Sequence, residues 1–546
     1  MTGSELLLRL TGEQPGIETA VDVLVADRVA SRLFAQDPTL WGPAAEAEAS
    51  NRLGWVDAFD RADALVAEAE ALRASLREQG VDRVVLCGMG GSSLAPEVIA
   101  HRYGAALTVL DSTHPDEVRR ALSGDAQRTA LVVSSKSGST VETRSHLAAF
   151  EQRFREAGVD PASRIVIVTD PGSPLESAAA EAGYRTFLAD PRVGGRYSAL
   201  TAFGLVPVIL AGARVQTLLD EARSAASALR LDQPDNPALR LAAALASGLP
   251  ERYACALTEA EPSGLGDWIE QLVAESTGKD GRGILPLVLA PDAPELHGTA
   301  LHGTASSESL PESANLVSLA FAESSGSPQA PIAVTAPLGA QFLLWEAATV
   351  VLCRLMGVNP FDQPDVESAK LAARAALAGG SGEDQPLRSW PEAGGVALLT
   401  APGAASEALP ETLAAALREQ LAEIPAGGYL VVQAYLDCRR TAPLAQQLRD
   451  RLASTLGVPV VLGWGPRFLH STGQLHKGGA PVGAFLQLLD RPLEDTPIPG
   501  GDGSFGALIS AQARGDREVL IARGRPVLAL QTEGPEACLR ALIEML

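Results

Sequence analysis

Glu275 is the residue whose surroundings in the sequence best suit a general base. Trp268, Leu272 and Val273 precede it at helical spacing, and Gly278 follows it. This pattern predicts a helix that ends in a polar turn, with Glu275 where the apolar face ends. Because burial disfavours the charged form of a carboxyl group, a half-buried glutamate at this point can accept a proton near neutral pH. The same pattern also fits an ordinary glutamate in the last turn of a helix.

Two loops rich in glycine and hydroxyl groups have the composition of anion sites. The first, GMGGSS at residues 88–93, follows a β-branched run and includes Gly91 and Ser92. The second, SKSGST at residues 135–140, offers four hydroxyl groups and a lysine directly before a helical pattern. Junctions from strand to loop to helix present backbone N–H groups to phosphate. A tight turn and a capped helix start are the respective alternatives, and the second loop lacks the residue order of a nucleotide-binding P-loop.

Other side chains have the types needed to move protons or stabilise charge. Arg196, in GGRYS, follows a glycine pair at a predicted helix start, where it either faces a ligand anion or caps the surface. Lys370 lies on a predicted helix after FDQP. His470 and His476 lie in a Gly/Ser/Thr loop without Cys, Asp or Glu at metal-ligand spacing, which favours an acid/base histidine over a metal site.

The elements that position these residues are predicted to alternate between helices and strands. Residues 1 to about 80 have helical periodicity, and the next predicted strands are 82–88, 106–111, 131–134, 165–170 and 184–188. This alternation predicts a parallel sheet with right-handed crossovers.

The second half of the chain begins with predicted helices at 215–250 and a strongly apolar helix between Pro337 and Gly357. No regular pattern is evident at 285–335. Its Gly/Pro-rich composition predicts a linker at 377–396, and a second α/β unit is predicted for about 396–546, with strands at 428–435 and 458–463.

The composition of the chain bears on the class of protein. A length of 546 residues with 46% apolar residues predicts three or four structural units. The net charge of −22 without a basic tract argues against a nucleic-acid partner. The five scattered cysteines predict reduced thiols in a cytoplasmic protein. Neither a signal peptide nor a transmembrane helix is predicted, because no charge-free apolar segment reaches 18 residues.

Six motifs together resemble the glucose-6-phosphate isomerase (phosphoglucose isomerase) family. They are GMGGSS, SKSGST, GGRYS, ESTGKDGRGILP, FDQPDVESAK and LHSTGQ. The resemblance is greatest to the isomerase half of bacterial bifunctional transaldolase/phosphoglucose isomerases, and it extends from ADRVASRLFAQDPTLWG to AQARGD. It implies an α/β fold with two sugar-isomerase (SIS) three-layer domains. The implied organisation is a helical segment at 1–75, a first SIS domain at 76–240, a catalytic segment at 241–390 and a second SIS domain at 391–546.

The resemblance also implies a role for each matching residue. Glu275 would move a proton between C2 and C1 of the sugar, and Arg196 would stabilise the cis-enediolate. Lys370 and His470 would assist ring opening, with His476 as the rival histidine. The implied substrate- and phosphate-binding residues are Gly91, Ser92, Ser135, Lys136, Ser137, Thr140, Gln271 and Gln474.

Two features depart from the family's pattern. Lys370 precedes His470 in this chain, whereas the histidine loop comes first in stand-alone members, so the second domain is reordered in sequence. The second loop reads SKSGST where many relatives have SKTFTT, which keeps the hydroxyl groups and loses a phenyl ring.

The implied reaction interconverts glucose 6-phosphate and fructose 6-phosphate in glycolysis and gluconeogenesis. It requires no metal or redox cofactor. The expected assembly is a cytoplasmic homodimer whose sites are completed by the neighbouring subunit, with no nucleic-acid or membrane partner. A dual phosphoglucose/phosphomannose isomerase and a non-catalytic sugar-phosphate-binding regulator are the alternatives.

Overall fold

The computed structural model describes residues 6–11, 16–259, 263–297, 316–322, 330–365, 386–400, 409–492, 494–501 and 503–546. The strands are β1 (Leu7–Leu10), β2 (Arg83–Cys87), β3 (Leu107–Leu110), β4 (Thr129–Ser134), β5 (Ile165–Thr169), β6 (Arg185–Leu188), β7 (Ala254–Glu259), β8 (Leu285–Leu289), β9 (Leu316–Ala322), β10 (Ile332–Thr335), β11 (Arg388–Trp390), β12 (Val396–Thr400), β13 (Tyr429–Tyr435), β14 (Val460–Trp464), β15 (Gly483–Asp490) and β16 (Val527–Thr532).

Helices cover the faces of the sheets that these strands form. They are α1 (Ile17–Ala26), α2 (Val29–Phe34), α3 (Pro43–Ala49), α4 (Asp63–Glu78), α5 (Leu94–Arg102), α6 (Pro115–Leu122), α7 (Val141–Glu156), α8 (Pro174–Ala182), α9 (Ala202–Ala211), α10 (Gln216–Leu229), α11 (Pro237–Ala246), α12 (Leu265–Thr277), α13 (Pro294–His297), α14 (Leu338–Met356), α15 (Leu413–Ala422), α16 (Cys438–Leu456), α17 (Gly473–Gly478), α18 (Phe505–Ala522) and α19 (Pro535–Met545).

The first sheet has the order β3-β2-β4-β5-β6, and every pairing in it is parallel. All five strands predicted between residues 82 and 188 are therefore confirmed. Side chains alternate between its faces: Val84 and Leu86 enter a core shared with α4 and α9, and Val85 and Cys87 enter a core shared with α6, α7 and α8. The sheet is thus the middle layer of an α/β/α unit.

The second sheet has the order β1-β10-β9-β7-β8, parallel except for the edge strand β1. The expectation of helix up to about residue 80 therefore omitted one strand. A run such as LLRL carries no strand signal of its own, and its extended form depends on pairing with Ile332–Thr335, far away in the chain. The irregular segment 285–335 supplies β8, β9 and β10.

The third sheet has the order β11-β12-β16-β15-β13-β14, in which β13–β16 are parallel. The strands predicted at 428–435 and 458–463 are confirmed as β13 and β14, but the linker prediction is wrong for residues 388–390, which form β11 against β12. Trp390 explains the difference, because its side chain is buried and its indole N–H donates to the Glu411 carbonyl at 3.0 Å.

The apolar helix α14 begins after Pro337 and ends at Gly357, as predicted. Among the described helices it alone has the length and composition of a membrane span, but 89% of that stretch is buried inside the protein. It packs against α10, α11 and α12. Contact with helices on several sides accounts for its uniformly apolar surface.

The third sheet contacts both of the others. With the second sheet it shares an apolar core that includes Leu287 and Phe485. Towards the first sheet the contacts are both apolar and polar. Phe505 and Leu508 of α18 enter the core that contains Val85 and Cys87. The Arg120 guanidinium donates to both oxygens of Asp437, at 2.5 and 2.8 Å, and Glu117 accepts from the Cys438 backbone N–H at 2.9 Å. The loops after strands of the first and third sheets are thereby brought together.

Replacing Asp437 by Asn should weaken this junction in a pH-dependent way. Burial alone would raise the pKa of Asp437, but Arg120 outweighs it and holds the pKa below its usual value. Such a carboxylate contributes stability above its unfolded-state pKa and loses it as the pH falls through the folded value. We expect Asp437→Asn to lower the free energy of unfolding at pH 7 by about 2 kcal/mol, and the difference to shrink below about pH 4.

Urea titrations at several pH values measure this effect. Glu536→Gln is the matched control, because Glu536 also accepts a bidentate hydrogen bond from an arginine, Arg440 of α16, but at an exposed position. Glu536→Gln should lower the free energy of unfolding by less than about 1 kcal/mol. Equal losses of unfolding free energy in Asp437→Asn and Glu536→Gln would contradict a stabilising role of the buried Arg120–Asp437 pair.

Candidate active site

Glu275 lies in the last turn of α12, where the sequence predicts it, and the helix ends at Gly278. It is more deeply buried than expected, at 7% exposure. Its Oε1 lies 3.1 Å from Nη1 of Arg196, and its Oε2 accepts a hydrogen bond from Nε2 of Gln271 at 3.1 Å. Gln271 is one helical turn earlier, so the two side chains share a face. The carboxylate is therefore fixed from two sides.

Arg196 is held by an unusually complete set of acceptors. It lies in a 3-10 turn, Gly195–Tyr197, and is 5% exposed, which excludes a surface cap. Nε donates to the Ser276 hydroxyl at 2.8 Å, and Nη2 donates to the Pro360 carbonyl at 2.6 Å. Burial opposes its charge, but the Glu275 carboxylate and Tyr197, with a smaller contribution from Cys353, together outweigh burial and raise the pKa of Arg196. The site thus contains a permanent, immobile cation beside a carboxylate.

The FDQP segment is attached to this cluster through contacts that the sequence analysis did not identify. Gln363 Oε1 accepts from Arg196 Nη1 at 3.3 Å. Lys279 is buried, and its Nζ donates to the carbonyl of Asp362 at 2.9 Å and to its carboxylate at 2.6 Å. Lys279 is visible in the ESTGK motif, but its partner on the FDQP loop is not. Lys370, further along this segment, lies outside the described residues.

The first glycine loop makes a close approach to the protein's own backbone. A Cβ atom on Gly91 would lie 2.0 Å from the Gly195 carbonyl oxygen. Gly90 has a φ of +55°, and a Cβ there would lie 2.6 Å from the His470 carbonyl oxygen and 2.7 Å from Nε2 of Gln271. Glycine is therefore required where these segments meet. Ser92 follows them in the same turn and is buried.

The second loop, residues 135–140, lies at the carboxyl end of β4, next to β2 in the sheet. The Ser135 hydroxyl donates to the Thr140 hydroxyl at 3.2 Å, and the Ser137 and Ser139 hydroxyls are 3.0 Å apart. Lys136 forms an ion pair with Asp170. The first turn of α7 follows directly, so the predicted arrangement of loop and helix start is confirmed.

His470 reaches the same cluster from the third sheet. It ends a 3-10 turn after β14, and its carbonyl accepts from Gln271 Nε2 at 2.8 Å. Its imidazole Nε2 lies 3.0 Å from Oε1 of Glu142, a buried carboxylate at the start of α7. Sequence reasoning missed Glu142. The only signal was a carboxylate two residues after the end of the SKSGST loop, and an acidic residue is common in the first turn of any helix.

His476 is placed differently. It lies between the rings of Tyr429 and Phe485, whose centroids are 5.9 and 5.4 Å from its own, and it is 1% exposed. Burial lowers its pKa to about 3, so it is neutral at physiological pH. Of the two rival histidines, the structure brings His470 and not His476 to Gln271 and Glu142.

Gln474 connects three segments that lie next to the cluster. Its Nε2 donates to the Gly278 carbonyl at 2.9 Å and to Asp365 Oδ2 at 2.7 Å, and its Oε1 accepts from the Asp365 backbone N–H at 2.9 Å. It thus joins α17, the end of α12 and the FDQPD segment. A substrate contact for Gln474 stays a prediction.

Two cavities of about 430 and 360 Å³ lie to one side of this cluster, and Trp464 and Arg467 line both. Neither is lined by Glu275 or Arg196. They mark the junction of the third sheet with the other two. Among the described residues, no group of three or more His, Cys, Asp or Glu side chains is arranged to hold a metal ion.

The chain is similar in sequence to known enzymes. It is 31% identical over 388 residues to a glucose-6-phosphate isomerase of Thermus thermophilus, a match that covers 61% of this chain and 92% of that protein. It is 36% identical over 213 residues to the probable glucose-6-phosphate isomerase of Haloarcula marismortui, covering 38% of this chain and about half, 49%, of that protein. No protein-family model matches the chain.

Solved structures show the same fold. A hypothetical protein of Thermus thermophilus aligns with a TM-score of 0.55 and 26% identity, over 68% of this chain and 100% of that one. Glucose-6-phosphate isomerase of Chlamydia trachomatis aligns with a TM-score of 0.52 and 16% identity, over 69% of this chain and 89% of that one.

Gly91→Ala tests the convergence of the loops without reference to any activity. Because the atom opposing the new methyl group belongs to the backbone of residue 195, it cannot move aside like a side chain. We expect overpacking to lower the free energy of unfolding by about 1–3 kcal/mol, measured by chemical denaturation. Gly503→Ala is the control, because a Cβ there meets nothing within 4 Å. Equal stability of both variants and the wild type would refute the close approach.

Proposed function

This chain belongs to the glucose-6-phosphate isomerase family, and we propose that it interconverts glucose 6-phosphate and fructose 6-phosphate by acid/base proton transfer. The observation that carries the proposal is the buried Glu275 carboxylate, 3.1 Å from a guanidinium that other segments hold in place. A single base next to a fixed cation suits a reaction in which one proton moves between adjacent carbons and negative charge develops on the oxygens.

In the proposed reaction, Glu275 removes the proton from C2 of the open-chain aldose and returns it to C1. The Arg196 guanidinium stabilises the cis-enediolate formed between these steps. Because its hydrogen bonds to Ser276 and Pro360 already fix its orientation, little reorganisation accompanies the build-up of charge. Gln271 orients the carboxylate of Glu275 throughout.

Ring opening precedes this step, and we assign it to His470 and Lys370. Glu142 faces Nε2 of His470, which favours the tautomer with the proton on Nε2 and leaves Nδ1 to exchange a proton with the sugar. For Lys370 the support is its position in the FDQP motif, whose start is tied to Arg196 and Lys279.

The sugar phosphate is proposed to bind at the carboxyl edge of the first sheet. Ser92 lies in the turn after β2, and Ser135, Ser137 and Thr140 lie between β4 and α7. Backbone N–H groups at the start of α7 add to the hydroxyl donors. Lys136 is engaged with Asp170, so a bound phosphate would share its ammonium group with that carboxylate.

We also propose a cytoplasmic homodimer. All five cysteines are free, and four of them are buried, as suits a reducing compartment. The homodimer rests on the family resemblance, and light scattering after size exclusion measures it directly.

Glu275→Gln should lower kcat by about three orders of magnitude, because the amide cannot accept the proton. Fructose 6-phosphate is mixed with the protein and an NADP-dependent glucose-6-phosphate dehydrogenase, and NADPH formation is followed. Glu270→Gln, a glutamate of the same helix outside the cluster, is the control and should retain activity.

The outcomes of this assay separate the candidate functions. Retained activity in Glu275→Gln would remove Glu275 from the role of base. If the wild type is inactive but fructose 6-phosphate raises its melting temperature, the non-catalytic regulator is favoured. The same incubation analysed for mannose 6-phosphate identifies a dual isomerase.

Arg196→Lys should lower kcat about 100-fold although the charge is kept. A lysine ammonium cannot reproduce the planar contacts with Ser276, Pro360 and Glu275 together. The same coupled assay measures the effect, with circular dichroism to establish folding. A kcat within about twofold of the wild type would show that positive charge alone is sufficient.

A further inference from the structure

A buried glutamine of the third sheet's helix α18 contacts the carboxylate that faces His470. Gln512 is 2% exposed, and its Nε2 donates to Oε1 of Glu142 at 2.6 Å. Its Oε1 accepts from the hydroxyl of Thr113, a fully buried residue after β3, at 2.7 Å. We propose that Gln512 is a positioning residue that acts through Glu142 to hold His470 in its orientation for ring opening. This inference rests on the proposed isomerase function.

The Glu142 carboxylate determines which end of the Gln512 amide faces it, and Thr113 completes the hydrogen bonding at the other end. A carboxylate oxygen can only accept hydrogen bonds, so it requires the NH₂ end of Gln512. The Thr113 hydroxyl satisfies the opposite end by donating to the amide oxygen. If the amide were flipped, its oxygen would face the Glu142 carboxylate oxygen, and two buried acceptors would lose their hydrogen bond. The Thr113–Gln512–Glu142 chain therefore has one satisfied direction.

Glu142 Oε1 is the point where this chain meets the histidine. It lies 2.6 Å from Gln512 Nε2 and 3.0 Å from His470 Nε2. Two donors that share one oxygen fix the carboxylate plane more closely than one donor does. That plane in turn sets the direction in which the imidazole can donate, and so the direction in which Nδ1 points.

The rest of α18 makes Gln512 a rigid support. One turn later, Asp516 is fully buried and pairs with Lys477 at 2.5 Å. Gln433, on β13, donates to Asp516 Oδ2 at 2.8 Å. Lys477 also donates to the Gly473 carbonyl at 3.3 Å, within α17, the helix that follows His470 in the chain. The same helix thus anchors the histidine's own segment and the residue that orients its partner.

The contacts of Gln512 predict a selective effect on kcat. Its side chain bonds to Thr113 and Glu142, and neither bond involves residues 135–140, Arg196 or Glu275. Its loss should slow ring opening while substrate binding is preserved. We expect Gln512→Met to lower kcat about tenfold and to change KM less than about twofold, because an unbranched side chain of similar length fills the space without either hydrogen bond.

The deciding experiment repeats this substitution in a Glu142→Gln background with fructose 6-phosphate as substrate. If Gln512 acts through Glu142, Gln512→Met should have no further effect on kcat there, because the carboxylate that it orients is already gone. Thr113→Val is a second variant that leaves Gln512 in place. Like Gln512→Met, Thr113→Val should lower kcat when Glu142 is present and leave kcat unchanged in the Glu142→Gln background.

Gln420→Leu is the matched control. Gln420 is also a fully buried glutamine of the third sheet's layer, and it donates to the Phe485 and Pro526 carbonyls at 3.0 and 3.1 Å, away from the cluster. Gln420→Leu should lower the free energy of unfolding without a selective loss of kcat. Equal falls in kcat for Gln512→Met in both backgrounds, or an unchanged kcat, would overturn the inference. An inactive wild type would instead overturn the proposed function itself.

Discussion

The buried contact between Arg196 and Glu275 is the interaction on which the rest of the site depends. Removing opposite charges from water costs several kcal/mol per ion, and it is tolerated where the remaining donors and acceptors are satisfied. Ser276, Pro360 and Gln271 satisfy them here. Ser276 and Gln271 lie on α12 with Glu275, whereas Arg196 and Pro360 come from two other segments. All three segments must be ordered before the pair is stable. A guanidinium held in this way is already oriented to stabilise negative charge on a bound ligand, without rearrangement of its surroundings.

Three sheets contribute to this one cluster. The first sheet supplies both hydroxyl loops at the carboxyl ends of neighbouring strands, where α/β proteins bind ligands. The helix α12, which packs on the second sheet, supplies Glu275 and Gln271. The third sheet supplies His470, and its polar junction with the first sheet aligns that histidine with Glu142. The close-packed apolar core between the second and third sheets prevents one sheet from sliding over the other. The polar contacts of the cluster therefore keep their geometry.

Local patterns predicted much of this architecture, and contacts between distant segments account for what was missed. The helix that carries Glu275, the two hydroxyl loops and α14 have complete signals in their own residues. By contrast, β1 and β11 become strands only through partners elsewhere in the chain. Glu142 lies near the SKSGST loop in sequence, but nothing in the sequence pairs it with Gln512, and only the folded chain brings Gln512 Nε2 to 2.6 Å from Glu142 Oε1. Residue types reveal which groups can do chemistry, whereas their mutual orientation depends on long-range packing.

The FDQP and histidine segments can meet at one site in the order that they have in this chain, because neither segment depends on the other's place in the sequence. Gln474, next to the histidine turn, clamps Asp365 by accepting from its backbone N–H and donating to its carboxylate. Asp365 is the last described residue before Lys370. A direct clamp between the two segments fixes their relative position whichever comes first. Connecting loops then need only be long enough to span the distance, and loop-closure entropy rises slowly with length, so reordering carries a small energetic cost.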